Sequence, residues 1–353
     1  MIHPVLFEAE RLPILQNRTF ATRKEAVESP AGDVILVQDP RTGLIYNTAF
    51  DPSQMIYGEH YQNEQACSAA FRRHLDHVTA IIERHCSVGE ALLEIGCGKG
   101  FFLESLLDRG LDVMGVDPAY EGSNPRVIKA CFSQDLGLTG DFIVLRHVLE
   151  HIPDPVAFLA NIAAANQGGT IYIEVPCLDW ILQRRAWFDI FYEHVNYFRL
   201  SDFCRMFDCV HETGRVFGGQ YLFVVADLST LRTPVAGACD RVTMDGFLAT
   251  LEAVLARGRA EGDRRRAVWG AASKGVIFSL YMQRAGIEID SVIDINPVKQ
   301  NRYLPMTGLK VSSPDAAAIR LSDGDNMFVM NSNYMAEIIA LSRNRYSYVA
   351  VDL

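Results

Sequence analysis

The sequence predicts an α/β protein in which two doubly wound units follow one another, after a small N-terminal lobe. Strand-like and helix-like runs alternate between residues 66 and 229, which is typical of a parallel sheet covered by helices. Two further β-like runs flank Gly218 and Gly219, and they predict an antiparallel hairpin at the end of that sheet. A second strand, loop and helix begin at AVWGAASKG, from Ala267.

The first domain is predicted from its elements in chain order. The first sixty residues hold polar turns around the β-like run DVILVQD, so we expect an irregular lobe. Residues 67–86 have helical spacing, with an apolar stripe that includes Phe71 and Leu75. On this helix we expect both His74 and His77 to face solvent. Five strands follow, with the sequences ALLEIG, LDVMGVD, VIKACF, DFIVLRH and GGTIYIEVP.

The second unit is predicted from a helix near residues 244–257 and the strands AVW, IDSVIDI and NMFVMN. We therefore expect four segments: a lobe at residues 1–65, an α/β domain at 66–229, a helical linker at 230–265 and a Rossmann-like domain at 266–353.

Composition excludes several classes of function. The formal charge of −10 argues against a nucleic-acid partner, and the short basic run Arg264–Arg266 is interpreted as a solvated helix end. No window supplies the roughly 20 apolar residues that cross a bilayer, and no secretory leader is evident. The cysteines are scattered without a C-x-x-C pair, which is typical of reduced thiols. We expect a cytoplasmic enzyme without a membrane partner, and oligomeric state is not predicted.

A glycine loop after the first buried strand indicates a nucleotide-like ligand. Gly96, Gly98 and Gly100 follow the strand and open a helix, where backbone N–H groups can approach a ligand closely. The dinucleotide-binding fingerprint G-x-G-x-x-G has its third glycine at the position that Phe101 occupies in this chain. This difference disfavours NAD as the ligand.

Two acids near the loop favour S-adenosylmethionine (SAM). Glu94, at the end of the strand, suits a ligand that carries an ammonium group rather than a pyrophosphate. Asp117 ends the next strand, where an acid can bind the hydroxyls of a ribose. SAM carries both groups.

The segments ALLEIGCGKG, VDP and VLRHVLEHIPDP resemble class I SAM-dependent methyltransferases. The segments YGEHYQN, FYEHVNYF, WGAASKG, IDINPVKQNRYLP and MNSNYMAEI resemble the three-domain C-methyltransferases that methylate deoxysugar nucleotides. This resemblance implies SAM as cofactor, S-adenosylhomocysteine as product and a small-molecule acceptor. The residues expected to bind the cofactor are Glu94, Gly96, Cys97, Gly98, Gly100, Phe101, Asp117, Pro118, Phe132, Ser133, Arg146 and His147.

The catalytic prediction centres on FYEHVNYF, after the fifth strand, where loops of a doubly wound sheet face the ligand. We expect His194 to be the general base, since imidazole titrates near neutral pH. Glu193 and Tyr192 are expected to orient it or to polarise a carbonyl. Tyr57 and Tyr61 resemble the family's other tyrosine region.

The sequence departs from the family in two places. The family has the motif Tyr-x-Glu-His, and the tyrosine of that motif is replaced by Phe191 in this chain. This replacement puts carbon methylation in doubt. The family binds zinc in its N-terminal lobe through pairs of cysteines, and this chain lacks them. Asp39 and Thr42 occupy the positions of one pair. No metal is therefore expected.

The C-terminal unit is expected to bind the acceptor, for which a nucleotide-linked sugar is the candidate. A purely structural role stays open. The residues predicted to bind the acceptor are Tyr197, Lys274, Asn296, Lys299, Asn333 and Tyr334.

Competing interpretations remain. His147, Glu150 and His151 fit H-x-x-E-H, a zinc-protease motif, but nearby prolines disfavour the long helix that this motif requires. The favoured function is carbon methylation of a keto-sugar nucleotide. The alternatives are an O- or N-methyltransferase of another metabolite, an NAD-dependent oxidoreductase and a non-catalytic nucleotide-binding protein.

Overall fold

The computed structural model describes residues 4–56, 61–237, 240–260 and 264–352, and these residues form three sheets. The strands are β1 (Val5–Pro13), β2 (Ala31–Gln38), β3 (Ile45–Asn47), β4 (Ala91–Ile95), β5 (Asp112–Val116), β6 (Val127–Ile128), β7 (Phe142–Arg146), β8 (Thr170–Pro176), β9 (Asn196–Tyr197), β10 (Val210–Val216), β11 (Tyr221–Asp227), β12 (Arg266–Trp269), β13 (Ser291–Ile293), β14 (Val311–Ser312), β15 (Asn326–Val329) and β16 (Ser347–Ala350). The α-helices are α1 (Arg23–Val27), α2 (Ala69–His85), α3 (Phe101–Asp108), α4 (Pro155–Asn166), α5 (Leu178–Arg184), α6 (Leu200–Met206), α7 (Ala249–Ala260), α8 (Ser273–Arg284), α9 (Pro314–Arg320) and α10 (Met335–Leu341).

The N-terminal lobe is an antiparallel sheet of order β1-β2-β3-β9, so the expectation of an irregular lobe was wrong. The sequence analysis missed β1, although Phe7 and Ala9 alternate with the exposed Glu8 and Glu10 in the pattern of a half-buried strand. The fourth strand, β9, comes from the segment after the fifth strand of the next sheet. This pairing ties the lobe to the segment that contains His194.

The middle sheet has the order β10-β11-β8-β7-β4-β5-β6, which confirms the predicted doubly wound sheet. Strands β4 to β8 are parallel, and β11 runs antiparallel to both β8 and β10. The parallel strands are almost wholly buried because helices cover both faces, which explains their continuous apolar runs.

The C-terminal sheet has the order β14-β13-β12-β15-β16 and is parallel throughout, so the predicted second Rossmann-like unit is also confirmed. The predicted helix at 244–257 begins later, at Ala249. In the part of the chain that the structure describes, no helix has the length and apolar character needed to span a bilayer.

Candidate active site

A cavity of about 620 Å³ lies where the carboxyl ends of the middle and C-terminal sheets face one another. Its wall includes the glycine loop, the loop that contains His194, the start of α8 and residues of the N-terminal lobe such as Gln16. A volume of this size is in the range that holds a cofactor-sized ligand. The three sheets therefore contribute to one site.

The glycine loop turns sharply between β4 and α3. Gly96 has φ of +79°, and a Cβ atom there would lie 2.2 Å from the side chain of Val148. Only glycine fits this position without displacing its neighbour. The N–H of Gly98 donates a 2.8 Å hydrogen bond to the carboxylate of Asp117, which fixes the loop against the end of β5.

Most of the predicted cofactor residues line the cavity. They are Glu94, Gly96, Cys97, Gly98, Phe101, Asp117, Pro118, Phe132, Arg146 and His147. The structure does not bring Gly100 and Ser133 to the wall. Gly100 turns the chain into α3 with φ of +82°, and Ser133 precedes a 3-10 turn at Gln134–Leu136.

Glu94 is a buried acid whose side chain faces this cavity. The residue is 2% exposed, and its Oε2 has no hydrogen-bond partner among the described residues. Burial raises the pKa of Glu94 to about 7, and Asp117 adds to this effect while Arg146 opposes it. A cation brought into hydrogen-bond contact would stabilise the ionised carboxylate. The geometry thus fits the ammonium group of SAM.

A second buried acid, Glu174 on β8, bonds to several polar side chains near Glu94. Its carboxylate accepts hydrogen bonds from Tyr172 at 2.7 Å and from Arg146 at 3.2 Å, and it contacts His74 at 3.2 Å. Although burial opposes ionisation, Arg146 and His74 hold the pKa of Glu174 well below its usual value. His74 is therefore buried, contrary to the expectation of a solvated residue, whereas His77 is exposed.

His147 joins this cluster from the turn after β7. Its ring lies 3.0 Å from Glu174 and 3.3 Å from Glu150. Although burial opposes the charge, the contacts with Glu150 and Glu174 raise the pKa of His147 to about 9. Glu174 was not among the predicted site residues, because its strand was interpreted as a buried apolar run. A carboxylate inside such a run was the signal that could have revealed it.

The loop that contains His194 is braced at both ends. The hydroxyl of Tyr197 donates to the carbonyl of Phe191 at 3.0 Å and accepts from its N–H at 2.9 Å. The side chain of Asn196 donates to the carbonyl of Ile152 at 2.6 Å. These bonds hold the loop against the turn after β7, so His194 and His151 face each other with ring centres 5.0 Å apart.

The side chain of His194 lies in the cavity wall, against Phe191. Its Nδ1 is buried and has no hydrogen-bond partner among the described residues. Burial lowers the pKa of His194 well below its usual value, and the nearby His151, His147 and Lys274 add to this effect. The imidazole is therefore neutral at neutral pH.

Glu193 makes contacts that differ from those predicted. Its carboxylate accepts hydrogen bonds from the hydroxyl of Tyr61 at 2.7 Å and from the N–H of Gln16 at 2.7 Å. Burial raises the pKa of Glu193, partly offset by His151 and Tyr61. Glu193 thus anchors the N-terminal lobe to the site, because its side chain points to the lobe while the next residue, His194, faces His151.

Three predicted site residues lie elsewhere. The ring of Tyr192 packs where a Cβ on Gly32 would stand, and its hydroxyl accepts from the N–H of Asp51 at 2.9 Å. Tyr197 braces the loop and does not reach the cavity wall. Asn333 donates to the carbonyl of Phe217 at 2.8 Å. Tyr57 lies outside the described residues.

The other predicted acceptor residues, Lys274, Asn296, Lys299 and Tyr334, all line the cavity. Lys274 lies 2.9 Å from Asp189 and donates to Gln220 at 3.0 Å. Lys299 is 3% exposed, and its ammonium nitrogen lies 3.8 Å from a carboxylate oxygen of Asp294. The wall opposite the glycine loop is therefore rich in hydrogen-bond donors.

Comparison with known proteins agrees with this geometry. Residues 49–210 match the family model described as a methyltransferase domain, and residues 243–348 match the C-methyltransferase C-terminal domain. The C-methyltransferase NovU of Streptomyces niveus is 28% identical over 293 residues, which cover 71% of this chain and 68% of NovU. The class is thus that of SAM-dependent methyltransferases.

Other relatives match a smaller share of the chain. A ubiquinone biosynthesis O-methyltransferase of Chromobacterium violaceum is 33% identical over 90 residues, which cover 21% of this chain and 39% of that enzyme. A solved Burkholderia thailandensis 1,6-didemethyltoxoflavin-N1-methyltransferase is 19% identical, with a TM-score of 0.33, and the match covers 45% of this chain and 78% of that one. Within its class, the chain is similar to the methyltransferases that carry the C-methyltransferase C-terminal domain.

Proposed function

We propose that the protein transfers a methyl group from SAM to a carbon atom next to a carbonyl of a keto-sugar nucleotide, with His194 as the general base. One observation carries the proposal. His194, whose Nδ1 has no hydrogen-bond partner within the described part of the chain, lines the same cavity as the glycine loop and the acids Glu94 and Asp117.

The residues present fit SAM. The carboxylate of Glu94 would hold the ammonium group, and Asp117 would hold the ribose hydroxyls beside the backbone of Gly98. When bound, SAM supplies an electrophilic methyl group on a sulfonium, which leaves as the thioether S-adenosylhomocysteine.

The residues of this chain would prepare the acceptor. The neutral imidazole of His194 takes a proton from the carbon next to the carbonyl, and the electron pair of that C–H bond becomes available to form the new carbon–carbon bond. The braced loop fixes the imidazole, which supplies part of the rate by positioning. The phenol that the family has at position 191 is absent here, and Tyr61, which lines the cavity and donates to Glu193, is a candidate to replace it.

The acceptor would lie against the opposite wall. Lys274 and Lys299 offer charge to a phosphorylated group, while Asn296 and Tyr334 offer polar contacts. Similarity to the C-methyltransferase NovU, which covers 71% of this chain, favours carbon as the methylated atom. Relatives named as O-methyltransferases match a smaller share of the chain, 21% for the one from Chromobacterium violaceum, and they make oxygen the competing acceptor.

We also infer that the chain divides into the lobe, SAM domain, helical linker and C-terminal domain given by the boundaries 65, 229 and 265. The three separate sheets support this division.

Nuclear magnetic resonance of products made with carbon-13-labelled SAM and a panel of keto-sugar nucleotides tests the proposal. We expect a methyl signal bonded to carbon, with turnover reduced by about 10²- to 10⁴-fold in His194→Asn while SAM affinity is kept. His77→Gln, which removes an exposed imidazole, is the matched control. A methyl signal on oxygen would contradict carbon methylation, and full turnover by His194→Asn would contradict the role of the base.

A further inference from the structure

The H-x-x-E-H segment does not form the metal site that its sequence suggests, but part of it points to another. Leu149–His151 is a single 3-10 turn rather than a long helix, so the expectation that a protease helix is absent is confirmed. The ring of His147 turns to Glu174 and Glu150. His151 instead faces His194, which lies on the loop after β8.

Three side chains from these two loops converge at one point of the cavity wall. Glu150, His151 and His194 each offer one ligand atom, and the three atoms lie within 4.8 Å of one another. At metal–ligand bonds of about 2.1 Å, tetrahedral ligands stand roughly 3.4 Å apart. Side-chain movements of about an ångström would therefore bring these atoms onto one ion.

The ligand atoms are available. Nδ1 of His151 bonds to the carbonyl of Glu193 at 2.9 Å, which leaves Nε2 as the free nitrogen, as is usual for histidines that bind metal. Glu150 is 1% exposed, and its Oε2 has no partner among the described residues. Nδ1 of His194 is likewise buried, and no described residue bonds to it. A buried acid with an unpaired oxygen is costly unless something binds it.

We propose that Glu150, His151 and His194 bind one divalent transition-metal ion, for which Zn²⁺ is the best match, and that the bound ion blocks methyl transfer. Two imidazoles and one carboxylate form a ligand set that zinc accepts while keeping an open position. The imidazole of His194 cannot bind the ion and also accept the acceptor's proton in the same geometry. The predicted inhibition depends on the proposed role of His194, whereas the binding does not.

Titration of the full chain, free of any affinity tag, with Co²⁺ and then Zn²⁺ tests the binding. We expect one ion per chain, with visible Co²⁺ absorption bands that lack the near-ultraviolet signal of a thiolate ligand. Glu150→Gln and His151→Asn should each weaken Zn²⁺ binding by at least about tenfold. The matched control is Glu212→Gln, which alters a partly exposed carboxylate paired with His85 outside the cavity and should leave the affinity unchanged.

Several outcomes would overturn the proposal. A thiolate signal would place the ion on cysteines of the cavity wall such as Cys67 and Cys131. Loss of binding in Glu212→Gln alone would place the ion on the surface. If a variant fails to fold, X-ray absorption of the zinc-loaded native chain decides the matter, since two imidazoles without sulfur are expected. Zinc binding without inhibition would contradict the blocking role and leave the site itself in place.

Discussion

The hydroxyl of Tyr61 donates a 2.7 Å hydrogen bond to Oε2 of Glu193, so the segment before α2 is bonded directly to the residue that precedes the proposed base. The N–H of Gln16 occupies the other carboxylate oxygen at 2.7 Å. A buried carboxylate thus joins the N-terminal lobe to the loop of His194.

We expect Tyr61→Phe to lower the free energy of unfolding by about 1–3 kcal/mol, because a buried carboxylate loses a hydrogen-bond donor. Turnover should fall more than SAM affinity, because Glu193 lies next to the proposed base His194 and not in the glycine loop that binds the cofactor. Urea unfolding and calorimetry measure the two effects. Tyr120→Phe is the control, because its hydroxyl bonds to the backbone at Asn124. Equal stability of the two variants would show that the contact with Glu193 is unimportant.

The pKa of Glu94, about 7 in the free protein, predicts that SAM affinity depends on pH. The ammonium group requires the ionised carboxylate, so binding below pH 7 must release a proton. Affinity should fall by about tenfold for each pH unit below 7 and level off above it.

Glu94→Gln should remove this pH dependence and weaken SAM binding at pH 8. The same variant should be more stable than the native chain without cofactor, by about 1–3 kcal/mol, because an acid whose pKa is raised by folding destabilises the fold when ionised. Calorimetry at several pH values and thermal unfolding provide the measurements. A native chain with pH-independent affinity would be inconsistent with an ammonium contact.

Glu174→Gln should destabilise the protein by about 3–5 kcal/mol, because it leaves the buried Arg146 without its ionised partner. The pKa of Glu174 is lowered in the folded state, so its stabilisation is present above the ordinary value near 4.5 and is lost as pH falls below that value. The variant should accordingly lose less stability on acidification. Glu212→Gln, at an exposed ion pair, should cost less than about 1 kcal/mol.

The N-terminal lobe should need no metal. Its turn at residues 39–43 is held by Arg199, which donates to the carbonyl of Gly43 at 3.1 Å, and by Arg205, which donates to Thr42 at 3.3 Å. Both guanidinium groups bond to the buried Asp202. We expect Asp202→Asn to cost about 3–5 kcal/mol. Chelator treatment should leave the unfolding temperature of His151→Asn, which lacks a ligand of the proposed zinc site in the cavity, unchanged. Zinc bound at the lobe would contradict this prediction.

The sequence predicted both parallel sheets because hydrophobic periodicity and glycine turns act locally. It also predicted the glycine loop with Glu94 and Asp117, since these residues lie at fixed distances from strand ends. The sequence did not predict which side chains would be hydrogen-bonded to one another. Glu193 and Tyr61 are bonded across 132 positions of the chain, and no local pattern specifies such a contact.

The sequence likewise did not predict the direction in which each loop side chain points. Tyr192 and His194 are two positions apart, yet the ring of Tyr192 packs against Gly32 while His194 faces the cavity. The burial of His74 depends on Glu174, which is contributed by a distant strand. These assignments required the tertiary structure.

A crystal structure of the chain with S-adenosylhomocysteine tests the central claim most directly. We expect the ligand's ammonium group within hydrogen-bond distance of Glu94, its ribose at Asp117 and its sulfur facing the side of the cavity that holds His194. A ligand bound outside this cavity, or bound in it with the sulfur turned away from His194, would contradict the account.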